Sequence, residues 1–499
     1  MIVSHPFHRL RAFLQRLPLR GRLAQGSALL LGAFVLVKAS QFVIQILLSR
    51  LLSPSDFGLW AMVLVLTGLS LLFRDGTIAA VLVQRGLDDK RMVDAVYSLG
   101  VNVSVGLFVL QVLASYPLSL FFGEPILWPL TALHGTIFLI NAGTGAHDSV
   151  LLRQMRFREI ALCDCAAGGA RLVGAVACAL AGGGVWAFAA GEIAYAAADA
   201  VARRRASGYH FRYSFWPDPQ AIQAVRRYIA DMMSINLAVQ TNTNGDNLVI
   251  GRLLGAEPLG FYNVAYQLAM VPVFALTKVN RVHFTALSHM DRAEQQSYVG
   301  RALEQYALLG APVYALSFVL APWLVPFIYG QEWAEAAVLF QLVLIFAYAR
   351  GLMSIIGTAL NAFDKPGINA RINWVLVPLT LPSYVLGAWL GGVVGVAIAV
   401  ALVMGAGATG WFWVAVCRTS GWNLGVPAKP VLLPTLAAVG AAGCAALLAL
   451  PPVAAAALVV ALYMLFASLA IVRIFGLEAQ KPPFKPDELA KIVSSTTRK

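Results

Sequence analysis

The chain has 499 residues, of which 59% are hydrophobic and 12% charged, and it carries a formal net charge of +13. Soluble globular proteins carry roughly 25% charged residues, so the composition excludes a soluble enzyme and places the chain in a bilayer. The five cysteines (Cys163, Cys165, Cys178, Cys417, Cys444) show no C-x-x-C spacing, which argues for packing residues and against disulfides or thiolate metal ligands.

Residues 1–26 interleave Arg9, Arg11, Arg16, Arg20 and Arg22 with Phe7, Leu10, Phe13, Leu14 and Leu17, giving one apolar helical face. This pattern predicts a basic amphipathic N-terminus lying on the cytoplasmic leaflet. A cleaved signal peptide with Leu29 to Val37 as its core is the competing reading. It is disfavoured because the apolar run resumes after Lys38 and reaches Ser49, long enough to span.

Apolar runs then predict spans near 27–49, 57–73, 95–121, 125–146, 160–181, 185–202, 229–251, 258–277, 305–329, 335–358, 369–390, 392–416, 431–450 and 453–473, about fourteen in all. The uncharged stretch Asn373 to Cys417 holds two of them, hinged at Gly391-Gly392. An even number of spans puts both termini on one side. With that side cytoplasmic, 31 of the 37 Lys and Arg residues fall in cytoplasmic segments and only Arg50 and Arg252 fall outside. The positive charge is therefore topological and requires no nucleic-acid partner. The expected organisation is an N-lobe at 27–202, a basic linker at 203–228 carrying Arg203, Arg204, Arg205, Arg212, Arg226 and Arg227, a C-lobe at 229–416, two further helices within 429–473, and a tail at 474–499.

The chain also contains an approximate copy of itself. Leu48 to Met62, LSRLLSPSDFGLWAM, returns as Ile250 to Val264, IGRLLGAEPLGFYNV, with Arg50 on Arg252, Gly58 on Gly260 and Trp60 on Tyr262. Each copy ends an apolar run at the Arg, turns, and opens a new run at the Gly, which describes a hairpin of membrane helices used twice. Lys38, Gln41 and Gln45 form a polar helical stripe behind the first copy, and Gln240, Thr243 and Asn247 occupy the same offset behind the second. A second echo pairs FFGEPILWPL at Phe121 to Leu130 with IYGQEWAEAA at Ile328 to Ala337. The last two helices have no counterpart, so the architecture reads as six plus six plus two, an all-α polytopic membrane protein of the kind that builds transporters by duplication.

These stretches, with VLVQR at Val81 to Arg85, LLRQMRFREIAL at Leu151 to Leu162 and DNLVIGRLLGAEPLGFYNVAYQLAMVP at Asp246 to Pro272, resemble the Wzx-type polysaccharide flippases of the multidrug/oligosaccharidyl-lipid/polysaccharide export superfamily, over about residues 25 to 420. The exopolysaccharide subgroup associated with colanic acid is the most similar. Its acidic residue and Gly after the second helix appear here as Asp75-Gly76, preceded by Arg74. The resemblance implies two six-helix lobes in a V, a bacterial inner-membrane location, and passage of undecaprenyl-pyrophosphate-linked glycan units for exopolysaccharide or lipopolysaccharide synthesis. It also implies partners among the polymerase and chain-length proteins of the same pathway.

Several charges sit where a membrane makes them costly. Lys38 lies mid-span, where insertion costs about 2.5 to 3.5 kcal/mol, so it is expected to face protein or water. Lys38, Arg171 and Arg350 could form a cationic cavity for a pyrophosphate, lined further by the polar stripes. The alternative is pairing with Glu192, Asp199 or Asp246, or snorkelling of Arg350 to the nearby face. Asp246, in TNTNGDN, and Glu192 are candidates for a coupling ion. Asp246 could equally satisfy Arg252 and nearby backbone, which is the preferred reading. Asp56-Phe57-Gly58 spells a kinase triplet without a kinase lobe, and Gly405 to Gly410 matches a dinucleotide fingerprint inside an uncharged helix. Asn102-Val103-Ser104 is a sequon within a span, and His283 and His289 read as solvated loop residues. No cofactor or metal is expected. A membrane glycosyltransferase or polymerase would need a D-x-D motif or large external loops, a multidrug antiporter would need cavity acids, and a lipid II flippase shares the pyrophosphate and stays open as an alternative.

The charge asymmetry predicts that the loops near 53–56, 123 and 182–184 are external. Single cysteines placed there in a cysteine-free background should label from outside intact cells, and one at Ser207 should not; labelling at Ser207 would overturn the assignment.

Overall fold

The computed structural model describes residues 37–75, 89–216, 244–287, 290–363, 365–448 and 450–478, together with Gly32, Pro219 and Asn242. Every regular element among the described residues is helical. Among the described residues, six helices are long and apolar enough to cross a membrane, within Lys90–Phe122, Phe157–Leu180, Glu294–Tyr329, Ala336–Ala362, Gly367–Ser420 and Ala428–Leu447. Val37–Ser49, Pro54–Gly68, Leu127–Ile140 and Pro452–Leu465 are shorter apolar helices. The chain is therefore an all-helical, multi-pass membrane protein.

The elements run α1 (Val37–Ser49), α2 (Pro54–Asp75), α3 (Lys90–Phe122), α4 (Leu127–Ile140), α5 (Thr144–Arg153), α6 (Phe157–Leu180) and α7 (Trp186–Ser207). They continue with α8 (residues 244–253), α9 (Ala256–Leu287), α10 (Arg292–Tyr329), α11 (Ala336–Ala362), α12 (Pro366–Ala399), α13 (Ala408–Ser420), α14 (Gly425–Leu447) and α15 (Pro452–Glu478). Two compact units result. One comprises Met1–Gln267, Val325–Leu339 and Asn373–Val400; the other comprises Leu268–Leu324, Phe340–Ile372 and Ala401–Lys499.

Local chemistry sets the helix ends. At the start of α2 the Ser53 hydroxyl accepts from the Asp56 amide at 3.3 Å, and the Asp56 carboxylate accepts from the Ser53 amide at 3.0 Å. This is a capping box, and it gives the Asp-Phe-Gly triplet a structural role. Asp89 caps α3, whose far end stops at Gly123 with a φ of 77°, a left-handed value that glycine reaches without strain. The hinge expected at Gly391-Gly392 is present: both residues leave helical geometry inside α12. The chain folds back there so closely that a Cβ on Gly395 would lie 2.0 Å from the Gly387 carbonyl oxygen. The Gly405 to Gly410 run spans the end of a π-helical segment, Val400–Gly407, and the start of α13.

Other boundaries moved. The run read as 125–146 divides at Asn141 to Gly143, because Gly143 adopts a φ of 75° against the Tyr97 ring. Helix α7 continues through Arg203, Arg204 and Arg205 to Ser207, so those residues form its last turn. Arg203 is held there by Asp148, Asp164 and Asp199, the last at 2.7 Å, and Arg204 donates to the carbonyls of Ile140 and Ala142 at 3.1 and 3.0 Å. Pairing satisfies these charges and ties α5, α6 and α7 together. Ser207, chosen above as an inside marker, is buried with its hydroxyl 2.6 Å from His147 Nδ1. A cysteine there is shielded by packing on either side of a membrane, and the exposed His210 is the informative position.

Both copies of the repeated hairpin lie in the first unit, and they clasp each other. A Cβ on Gly58 would fall 1.7 Å from the Ala256 carbonyl oxygen, and one on Gly260 would fall 1.9 Å from that of Pro54. The two echoes serve the opposite hairpins. Arg50 donates to the carbonyls of Phe327 and Ile328 at 2.7 and 3.1 Å, and Arg252 lies over the Phe121 ring at 5.7 Å. Trp333, fully buried, donates its indole N–H to the Ser49 carbonyl at 3.1 Å and packs against Phe57 and Phe261. In the second unit, α14 and α15 pack through Ala441, Ala445, Ala455 and Val459, and Tyr463 fastens α15 to α10 by donating to the Leu308 carbonyl at 2.8 Å.

Two measurements test this packing. Gly58→Ala and Gly260→Ala should each lower the thermal unfolding midpoint in detergent, consistent with an overpacking cost of about 1 to 3 kcal/mol. The double variant should lose less than the sum, because the sites share one interface. Burial, then the charges of Arg204 and His210, lower the His147 pKa to about 4 from 6.5. The unfolded chain therefore binds a proton that the folded chain resists, so stability falls as pH drops from 6.5 to 4. His147→Gln should flatten the pH dependence of the midpoint in that window; an unchanged slope would overturn this assignment.

Candidate functional site

A polar group in an apolar bundle must be satisfied inside it or face water, so the placement of each buried polar residue carries information. On α1, Lys38 is exposed and its Nζ donates to Gln41 Oε1 at 2.9 Å, one turn along the predicted stripe. Gln45, half-buried, continues the stripe, and its Nε2 is buried without a hydrogen-bond partner. Helix α1 passes α6 at Ser40 and Gly168, one turn from Arg171, so the stripe and Arg171 occupy neighbouring helices of the same unit.

Arg171 is positioned by the close contact of α6 with α7. A Cβ on Gly174 would lie 2.8 Å from Ala194 Cβ, and one on Gly191 would lie 2.9 Å from Ala175 Cβ. At that spacing Arg171 Nη2 reaches Glu192 Oε2 at 2.9 Å, and the guanidinium carbon lies 4.1 Å from the Tyr195 ring centroid. The Arg171 Nε is buried with no hydrogen-bond partner. Glu192 is thus the partner of Arg171. Asp199, the other acid considered for these cations, is taken by Arg203.

Behind the second hairpin, Asp246 is buried and accepts from the Tyr262 hydroxyl at 2.6 Å and from the Asn247 amide at 2.8 Å. Its partner is therefore Tyr262, the counterpart of Trp60, while Arg252 goes to Phe121. Asn242 donates to the Asn373 carbonyl at 2.8 Å and accepts from Thr380 at 3.3 Å, joining this segment to α12. Asn247 is half-buried. Gln240 and Thr243 lie outside the described residues, as does His289. His283, expected in a loop, sits within α9 with Nδ1 3.0 Å from the Tyr298 hydroxyl. Arg350 is half-buried on α11, in the second unit.

One cluster escaped the sequence reading. In the first unit, Gln111 donates to Thr67 at 2.8 Å and accepts from Ser70 at 3.3 Å, and Thr67 Oγ1 lies 3.1 Å from His134 Nδ1. The Trp60 ring meets His134 edge-on at 4.8 Å and stacks on Phe188 at 5.4 Å. All four polar residues are buried. The spacing of Thr67 and Ser70 by three, within an otherwise apolar helix, was the signal available.

A family model described as "Polysaccharide biosynthesis protein" matches residues 47–338. The chain is 24% identical over 378 residues to the lipopolysaccharide biosynthesis protein WzxC of Escherichia coli, covering 74% of this chain and 76% of that one. It is 25% identical over 385 residues to the succinoglycan biosynthesis transport protein ExoT of Rhizobium meliloti, covering 75% and 76%. Among solved structures, the lipid II flippase MurJ in an inward closed conformation superposes with a TM-score of 0.74 at 13% identity, over 90% of this chain and 99% of that one. The Vibrio cholerae MATE transporter VcmN superposes with a TM-score of 0.53 at 17% identity, over 81% and 98%. These structural likenesses establish a shared fold. With the family model spanning more than half its length, the chain belongs to the polysaccharide biosynthesis protein family.

Proposed function

We propose that this protein is a flippase that moves undecaprenyl-pyrophosphate-linked oligosaccharide units across the bacterial inner membrane, for exopolysaccharide or lipopolysaccharide synthesis. The observation that carries this reading is the conjunction of a polysaccharide-biosynthesis family match with the fold of a lipid-linked-precursor flippase. The proposed organisation has about fourteen spans, with an N-lobe at 27–202, a C-lobe at 229–416 joined by the 203–228 linker, and a helix pair within 429–473. Both termini are cytoplasmic. The chain acts as a transporter, without covalent chemistry on its cargo, alongside the polymerase and chain-length proteins of the pathway.

The physical problem is to carry a hydrophilic glycan through hydrocarbon. In this reading the lipid tail stays in the bilayer while the head group follows the polar stripes Lys38, Gln41, Gln45 and Gln240, Thr243, Asn247. The Lys38 ammonium, exposed and one turn from Gln41, serves as a point charge for the pyrophosphate. Arg171 supplies a second cation whose present partner is Glu192, so an incoming anion has to displace or share with that carboxylate. Arg350, half-buried on α11, is a third candidate cation for the pyrophosphate. Glu192 and Asp246 are the acids through which an ion could couple.

Loss of the gene should stop polymer export while complete lipid-linked units accumulate on the cytoplasmic leaflet. Lys38→Arg should retain partial export, and Lys38→Ala and Lys38→Glu should lose it at normal membrane abundance. Normal export by a well-expressed Lys38→Glu protein would remove Lys38 from the site. Accumulation of lipid II in place of a polymer repeat unit would favour the peptidoglycan-precursor reading, and repeat units found unpolymerised on the outer leaflet would place the protein after translocation.

A further inference from the structure

Beyond α7 the chain does not leave the bundle. Residues Tyr209 to Trp216 run in non-helical conformation along α3, held by a stripe of polar side chains spaced four apart. Lys90 donates to the His210 carbonyl at 3.3 Å, and Asp94 accepts from the Arg212 amide at 3.1 Å. Ser98 donates to the Arg212 carbonyl at 3.4 Å and accepts from the Ser214 amide at 3.0 Å. Asn102 donates to the Phe215 carbonyl at 3.0 Å and accepts from the Tyr213 hydroxyl at 2.8 Å. Phe211 stacks on Tyr97 at 4.6 Å and meets His147 edge-on at 4.8 Å. The strap ends on two aromatic rings, Phe215 at 65% exposed and Trp216 at 84%, packed edge to face at 5.2 Å.

The level at which those rings sit follows from α3. Its 33 residues make about 50 Å at 1.5 Å per residue, against a hydrocarbon core of about 30 Å, so part of it projects. The exposed large apolar side chains of α3, including Val105, Val109, Leu110, Leu113 and Leu120, all lie beyond Asn102. The segment before Asn102 is the segment the strap covers. At the other end, exposed Tyr116 meets exposed Trp128 edge-on at 6.3 Å. Asn102 and Phe121 are separated by about 28 Å of helix rise, close to one hydrocarbon thickness.

We propose that Phe215 and Trp216 are a membrane anchor that seats in the headgroup boundary of the bilayer leaflet nearest the N-terminus of α3. Aromatic rings with one apolar body favour that boundary. The strap then fastens the first part of the 203–228 segment to α3 by backbone-directed hydrogen bonds and to lipid by its tip.

The test uses the full-length chain with its five cysteines replaced and Phe215→Cys carrying a bimane label, reconstituted in phosphatidylethanolamine and phosphatidylglycerol vesicles. Lipids with a shallow acyl-chain nitroxide should quench this label several-fold more than aqueous iodide does. The same label at His210, held at the Lys90 end of α3, should show the reverse order, and one at Leu113 should be quenched most by a deep nitroxide. Trp216→Cys, labelled likewise, guards against a local disturbance at one ring. Quenching of the Phe215 and Trp216 labels by iodide as strong as at His210 would overturn the proposal, and so would protection of both from lipid and iodide alike.

Discussion

The close approach of the two hairpins at Gly58 and Gly260 is the constraint on which the first unit depends. Backbone meets backbone there, with no room for a Cβ on either side. That contact fixes where each hairpin turns, and it brings Arg50 under Phe327 and Ile328 and Arg252 over Phe121. It also brings Trp333 to Ser49, so a residue about 280 positions away in sequence completes the first turn. Moving either glycine would displace four elements together. This explains why both hairpins, though separated by some two hundred residues, belong to one compact unit.

A second constraint acts within the bundle. Hydrocarbon offers polar groups no water, so a polar group in the bundle is costly unless protein supplies its partner. Arg171 finds Glu192 and Tyr195, Arg203 finds three aspartates, Asp246 finds Tyr262, and Gln111 finds Thr67 and Ser70. Removing one member of such a set leaves its partners buried and unpaired, which costs more than the bond itself contributes. For the candidate site this distinguishes Lys38 from Arg171. Lys38 is exposed, so moving its ammonium costs little desolvation, whereas Arg171 is half-buried in its pair with Glu192.

The repeat was legible because identical offsets preserve glycine where backbone contact demands it, and the hinge at Gly391-Gly392 was legible because two adjacent glycines interrupt an uncharged run. The partner choices were not. Nothing in the order of residues says that Asp246 meets Tyr262 and leaves Arg252 to an aromatic ring, since that depends on how α8 and α9 pack. The break at Gly143 was missed because the apolar run continues through it, and conformation, not hydropathy, ends the helix. Arg203 to Arg205 looked like a soluble basic cluster because charge runs usually mark loops. Their helical register with Asp199, four residues earlier, was the overlooked signal. The strap was invisible for a related reason: its bonds use backbone atoms of residues 210–215, which carry no sequence signature.

The duplicated hairpins keep one backbone geometry and two different fastenings. Arg50 is tied by hydrogen bonds from a charged donor, worth about 1.5 to 3 kcal/mol each at most, and its exposure reduces that. Arg252 has a cation-π contact at 5.7 Å, worth about 0.5 to 1 kcal/mol where exposed. Neither arginine has an ion pair among the described salt bridges. The polar ties are weak, so the specificity of the joint comes from the steric fit at Gly58 and Gly260 and from the buried Trp333 ring packed between Phe57 and Phe261.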